Sequence, residues 1–380
     1  MKLSCTKENL HQGLAITSHI STKNVNLPIL NNVLLKADGG GLKLISTNLE
    51  IAITCSIRGK VEQQGEYTVP SKLFFDYVNL CPDERVDIDL VDNALSVSCG
   101  SSKTKINGIV STEFPLVPPA SDGQSYTVSA ANFSRALSQT LFSAATNESR
   151  PELSGVFLSF NNPVSGKGSL TLAATDSYRL SEAVIKLSEA SDDQKDVIVP
   201  QRTLSELNRV FSVFKDDVEA PELVAVVVTD NQVVFRYGGV EITSRTLEGP
   251  YPDYKQIIPE KTQTQVIIEK QDLQKAIKTA SLFSKTGLFD IYLKTNVGEQ
   301  SLVTSANDVS RGENSVTLAS MIDGADNEIA LNFRYLLDGV NAIRAEKVVC
   351  SMIDKASPCV ITPFESPEEK YQYIVMPIRQ

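Results

Sequence analysis

Apolar residues recur along this chain in two alternating rhythms, and the alternation is written three times. Each third opens with a helical rhythm, over residues 7–20, 130–145 and 270–283. In the middle copy Phe133, Leu137, Leu141 and Ala144 share one helical face, and in the last Leu273, Ile277 and Ala280 do the same. The first copy, with Leu10 and Leu14, is the faintest. A strand pair follows in each. Val33-Leu34-Leu35-Lys36 turns through Gly39-Gly40-Gly41 into Leu42-Lys43-Leu44-Ile45. Val156-Phe157-Leu158-Ser159 partners Leu170-Thr171-Leu172-Ala173, and Ile291-Tyr292-Leu293-Lys294 partners Leu302-Val303-Thr304. The second strands reach polar corners at Thr47-Asn48, Thr175-Asp176 and Ala306-Asn307, where Asn and Asp side chains bond the local backbone.

A second helix is predicted in each third, over residues 72–80, 203–211 and 333–343, with Ser71 and Asn332 as N-caps. Strict alternation then returns. Val86, Ile88 and Leu90 alternate with Asp87 and Asp89, turn at Asp92-Asn93, and resume at Leu95, Val97 and Cys99. Val224, Val226 and Val228 turn at Asp230-Asn231 into Val233, Phe235 and Tyr237; the last copy, over 347–352 and 359–362, is rougher. The pattern predicts an α+β fold of three similar domains, each with two helices on antiparallel sheets. Turn-rich stretches at 118–123 and 249–264 set the expected boundaries at 1–123, 124–255 and 256–380.

Composition adds bounds. A chain of 380 residues exceeds one hydrophobic core, and 42% hydrophobic with 22% charged residues is that of a globular protein. No apolar run is long enough for a bilayer and the first residues lack a signal-peptide core, so a cytoplasmic protein without membrane contact is expected. The net charge of −10 argues against ordinary tight nucleic-acid binding, unless basic groups are gathered on one concave face. The six cysteines are widely spaced and read as buried small residues, not disulfides or a zinc site.

Candidate chemistry is sparse. His11 and His19, both assigned to the first helix, read as surface residues. No phosphate loop, metalloprotease helix or nucleophile elbow occurs, and no cofactor, metal or catalytic residue is expected. Asp192-Asp193 and the group Glu365, Glu368 and Glu369 read as solvated loops. Asp176 beside Arg179 reads as a corner carboxylate held by local bonds; a metal-dependent hydrolase centred on the two is the rival. The apolar stretch Ile374-Val375-Met376-Pro377-Ile378 either docks as a strand on a sheet edge or lines a surface that another molecule uses.

Several short motifs together resemble one family, the bacterial DNA polymerase III beta subunit or sliding clamp. They are Leu27-Pro28-Ile29-Leu30, Val69-Pro70, Ala174-Thr175-Asp176-Ser177-Tyr178-Arg179-Leu180, Val197-Ile198-Val199-Pro200, Pro252-Asp253-Tyr254 and Val375-Met376-Pro377-Ile378-Arg379. The resemblance runs nearly end to end. It implies a non-enzymatic homodimer of two chains closed head to tail, six domains encircling double-stranded DNA without sequence readout. The implied partners are the replicative polymerase, a clamp loader, and repair and translesion polymerases, which insert a Gln-x-x-Leu-Phe-type peptide into a hydrophobic pocket.

By the same resemblance the pocket takes Leu153, Thr175, Ser177, Tyr178, Arg179 and Leu180, then Pro252, Ile257 and Val348. Ile374, Val375, Met376, Pro377, Ile378 and Arg379 complete it, with Asn332 and Tyr335 at its rim. Tyr178 stands where the family commonly has His, and Gln256 where some members have Arg. The implied DNA-facing residues are Lys23, Lys72, Arg135, Arg150, Arg202, Arg209, Lys275 and Lys278. The implied dimer seam sets Lys103, Thr104 and Ile106 against Leu282 and Phe283 of the next subunit.

Overall fold

The computed structural model describes the chain apart from residues 22–25, 83, 117–122, 147–149, 190–192, 216, 218 and 379–380. Six α-helices among the described residues fall where the helical rhythm puts them. They are α1 (Lys7–Thr17), α2 (Ser71–Leu80), α3 (Ala130–Thr140), α4 (Gln201–Val213), α5 (Lys270–Ser281) and α6 (Phe333–Ala342). Thr6 caps α1, its Oγ1 accepting from the Asn9 amide at 3.3 Å. The buried residues of α1 are Leu10, Gly13, Leu14, Ile16 and Thr17. A Cβ on Gly13 would lie 2.9 Å from both Ile57 and Leu44, so this helix rests directly on its sheet. Small and polar contact residues explain why the first apolar rhythm is faint.

Four helices end earlier than expected, α5 and α6 by only two residues and one, α1 and α3 by more. α1 stops at Thr17, and α3 gives way at Thr140 to a 3-10 turn over Leu141–Ser143. Asn332 is the N-cap of α6, accepting from the amides of Arg334 (2.9 Å) and Tyr335 (3.4 Å). Ser71 is not a cap. Pro70 holds that position, and the buried Ser71 hydroxyl finds no partner among the described residues.

The chain forms two compact units, Met1–Ala131 with Arg202–Thr246, and Asn132–Gln201 with Leu247–Gln380. The first holds a five-stranded antiparallel sheet in the order Lys60–Gln63, Lys2–Thr6, Arg85–Val91, Ala94–Cys99 and Ser102–Asn107. Its larger sheet has eight strands, within which Ile51–Ile57 pairs with Val240–Arg245. The second unit holds a nine-stranded sheet, within which Arg179–Lys186 pairs with Tyr371–Val375, and a four-stranded sheet. Each of these two pairings joins one third of the sequence to the next and covers an edge that would otherwise stand open. For that reason the middle third is divided between the two units.

The sequence places a polar corner after the second strand of each third. In the first two thirds that corner is built from the same bonds. Thr47 and Thr175 donate Oγ1–H to the carbonyls of Ile51 (2.9 Å) and Arg179 (2.6 Å). Asn48 Oδ1 accepts from the amides of Glu50 and Ile51, as Asp176 Oδ1 accepts from those of Tyr178 and Arg179. Leu49 and Ser177 both take positive φ, 77° and 78°. The last third departs from the expectation. Its strand Ser301–Asp308 runs through Ala306-Asn307, and the turn is made one residue later around Asp308.

All six cysteines are free and buried. Burial pushes the thiols of Cys5, Cys55 and Cys350 up from 9.0 to about 12. The unfolded chain gives up these protons first, so the stability they contribute is whole below about pH 9 and is lost as pH rises towards about 12. Urea midpoints should therefore stay level from pH 7 to pH 8.5 and fall above pH 9; a midpoint that rises there contradicts this account.

Candidate functional site: a cleft beside the strand Tyr371–Val375

The stretch expected either at a sheet edge or on a surface used by another molecule begins as an interior strand. Tyr371–Val375 lies between Arg179–Lys186 on one side and Cys359–Pro363 on the other, with Val375 opposite both Arg179 and Cys359. Leu180 and Ile374 face each other and join Ala173, Tyr254 and Val360 in one buried cluster. This burial anchors the stretch that follows. The Met376 amide donates to the Tyr178 carbonyl at 2.9 Å, and the Ile378 amide donates to the Ala330 carbonyl at 2.8 Å. Pro377 between them has no donor to satisfy.

A cleft of about 560 Å³ opens there, lined by Ser177, Tyr178, Asn332, Tyr335, Ala356, Met376, Pro377 and Ile378. The corner supplies Ser177 and Tyr178, α6 and its cap supply Tyr335 and Asn332, and the stretch after the terminal strand supplies the apolar wall. Tyr178 is 64% exposed at the mouth. Among the described residues, no charged side chain lines the cleft. Such a surface suits a neutral, apolar or aromatic ligand segment oriented by a few hydroxyl and amide groups.

Arg179 stands behind this wall. Its Nε donates to Asp176 Oδ2 at 2.9 Å and its Nη1 to Asp338 Oδ2 at 2.6 Å. The guanidinium carbon lies 4.5 Å from the Tyr335 ring centre and 5.5 Å from that of Phe142. Burial opposes its charge, but Tyr373, Asp338 and Asp176 outweigh that and hold its pKa above the ordinary arginine value. Asp176 is thus a corner carboxylate with both oxygens engaged, as its sequence context suggests.

The other pocket residues fall elsewhere. Leu153, Thr175, Leu180, Val348, Ile374 and Val375 are buried in the core and carry the cleft without lining it. Pro252 is half-buried and Ile257 exposed, both outside the lining, and Arg379 lies outside the described residues. Ala356 was missed. Its only sequence signal is the turn in which Asp354 Oδ1 accepts from the amides of Ala356 and Ser357, both at 2.8 Å.

The basic residues are spread over the helices. Lys72, Arg202, Lys275 and Lys278 are exposed, Arg135 is half-buried, and Lys23 lies outside the described residues. Arg150 pairs with Glu152 at 3.1 Å. Arg209 is committed to the protein itself, pairing with Glu206 and donating to the carbonyls of Ala15 (2.9 Å) and Ile16 (2.6 Å) at the end of α1. His19 lies beyond α1, and its Nδ1 is 2.6 Å from the same buried Glu206; His11 stacks on Phe75. Glu369 is a further correction. It is buried, where it accepts from Gln139 Nε2 at 2.6 Å and the Arg344 amide at 3.1 Å, while Glu365 and Glu368 are exposed.

At the proposed seam, Ser102–Asn107 ends its sheet with no outer neighbour among the described residues. Lys103 is exposed, Thr104 half-buried, and Ile106 already buried in the core of its own chain. Leu282 is 66% exposed just past α5, and Phe283 beside it is half-buried.

Comparison with known proteins decides the family. Residues 1–118, 127–253 and 255–379 match the models of the N-terminal, central and C-terminal domains of the DNA polymerase III beta subunit. The chain belongs to the beta sliding clamps. A Synechocystis beta sliding clamp is 32% identical over 404 residues, spanning 100% of this chain and 99% of that one. The Thermotoga maritima DNA polymerase III beta subunit superposes with a TM-score of 0.91 at 25% identity, over 100% of this chain and 99% of its own. A Pseudomonas aeruginosa sliding clamp solved with bound griselimycin gives a TM-score of 0.91 at 26% identity, with both chains fully covered.

The cleft of this clamp depends on how closely α6 approaches Tyr373. A Cβ on Gly339 would fall 2.0 Å from the Tyr373 ring, whose hydroxyl donates to the Tyr335 carbonyl at 2.8 Å. Gly339→Ala should force that buried ring aside and cost about 3 kcal/mol of stability. Urea denaturation checks this, and an unchanged midpoint would contradict the close packing.

Proposed function

We propose that this sliding clamp works as a ring of two chains, closed head to tail around duplex DNA, that tethers the replicative polymerase to its template. It performs no catalysis in this reading, and a separate ATP-driven loader opens it. The polymerase, the loader, and repair and translesion polymerases take turns in the cleft beside Tyr371–Val375, each inserting a short Gln-x-x-Leu-Phe-type peptide. The observation that carries the proposal is the cleft itself: free of charged side chains among the described residues, part apolar and part hydroxyl-lined, and set beside an interior strand. The three domains are taken as 1–123, 124–255 and 256–380, and the site of action is the cytoplasm.

A rule of edge covering supports the ring. The strand Val240–Arg245 covers Ile51–Ile57, and Tyr371–Val375 covers Arg179–Lys186. Among the described residues, two strands at corresponding places in the repeat remain uncovered, Ser102–Asn107 and Gly312–Ala319. Pairing the first of one chain with the second of another extends the same rule and closes a head-to-tail assembly. The exposed Leu282 lies in the same unit as Gly312–Ala319 and adds apolar surface to that seam. DNA is held topologically, with exposed lysines and arginines such as Lys72, Arg202, Lys275 and Lys278 meeting phosphates without reading bases.

Two experiments test this. A fluorescent Gln-x-x-Leu-Phe peptide should bind the full chain with micromolar affinity and lose at least tenfold on deletion of residues 376–380, a cut made after the interior strand ends at Val375. Equal binding by both forms would rule out the cleft as the peptide site. After loading onto nicked circular DNA, the protein should be retained and then released when the circle is cut. Leu282→Asp should abolish retention by splitting the dimer; retention on linear and circular DNA alike would rule out the ring.

A further inference from the structure

We propose that Asp338, which does not line the cleft, is a positioning residue for it, fixing the Tyr335 ring through the guanidinium of Arg179. The inference rests on the reading of the cleft as a peptide site. Asp338 follows Tyr335 by three residues on α6, so one helix face presents an anion and an aromatic ring side by side. A single guanidinium answers both, at 2.6 Å from Asp338 Oδ2 and 4.5 Å from the ring centre. The same guanidinium is held by Asp176 at 2.9 Å, and Asp176 also fixes the amide of Tyr178. Arg179 therefore ties the two lips of the cleft together. One lip is Tyr335 on α6; the other is the corner bearing Ser177 and Tyr178.

The Tyr335 backbone has its own anchors, accepting from the Tyr373 hydroxyl and donating to Asn332. Its ring has the guanidinium. Without Asp338, Arg179 keeps its ion pair with Asp176, so the fold has no reason to fail, but the pull that brings the guanidinium over α6 is gone. Asp338 is 45% exposed and opens on its other side to a second cleft of about 380 Å³ between α3 and α6, which also carries Arg135 and Arg344. Solvent ions reach the Arg179–Asp338 pair from there, so the lip geometry is sensitive to salt.

The test uses the intact chain and a signal from inside the cleft. The chain has only four methionines, and Met376 is the one that lines the cleft beside Tyr335. In a spectrum of carbon-13 methyl-labelled methionine, Asp338→Asn should move the Met376 signal while Met1, Met321 and Met352 stay in place. Asp338→Glu, which restores the carboxylate, should return it towards the wild-type position. Binding of the Gln-x-x-Leu-Phe peptide should weaken about tenfold in Asp338→Asn and recover in Asp338→Glu. A Met376 signal that stays at its wild-type position in Asp338→Asn overturns the proposal. If wild-type protein binds no peptide yet the Met376 signal moves and is rescued, the peptide reading fails and the positioning role of Asp338 stands.

Discussion

Main-chain pairing of Tyr371–Val375 with Arg179–Ala183 is the interaction on which the second unit depends. A strand edge left open is a liability in any sheet, and here it is covered by a segment far along the chain. The pairing also sets the register that puts Leu180 against Ile374 in the core and leaves Met376 at the surface. Once that register is fixed, Met376 and Ile378 have single carbonyls to bond, those of Tyr178 and Ala330. The wall of the cleft is thus a by-product of sheet completion.

Among the described residues, the charge nearest that cleft is paired just behind it. Arg179 meets two carboxylates through Nε and Nη1 and two aromatic rings through its guanidinium, behind the lining rather than in it. A half-buried arginine in this setting contributes order more than affinity. The same economy appears in the first unit, where Arg209 closes the end of α1 and Glu206 answers both it and His19. Several charges that look available in the sequence are therefore internal.

Much of the fold was legible because helical and strand periods survive in the sequence. The alternation of Val86, Ile88, Val97 and Cys99 with Asp87, Ser96 and Ser98 becomes the inner and outer faces of one sheet. Long-range partnerships were not legible. Nothing near Glu369 announces Gln139, which lies 230 residues away, so a buried carboxylate reads as a solvated one. Likewise the apolar character of Ile374 and Val375 does not say whether the strand is central or at an edge. The cleft itself was legible only through the motifs at 174–180 and 374–378. Motif likeness gathered core and lining residues together, and only coordinates separate Val348 or Leu153 from Tyr178 or Met376.

The placement of Tyr371–Val375 also bears on how the protein is made. Gln372 meets Glu182 across 190 residues of sequence, and the nine-stranded sheet is incomplete until that partner has been synthesised. In the first unit, Ile51–Ile57 likewise awaits Val240–Arg245. A nascent chain thus carries unpaired strand edges through much of its translation, when aggregation competes with folding. Slow translation between residues 186 and 371 would lengthen the interval of exposure.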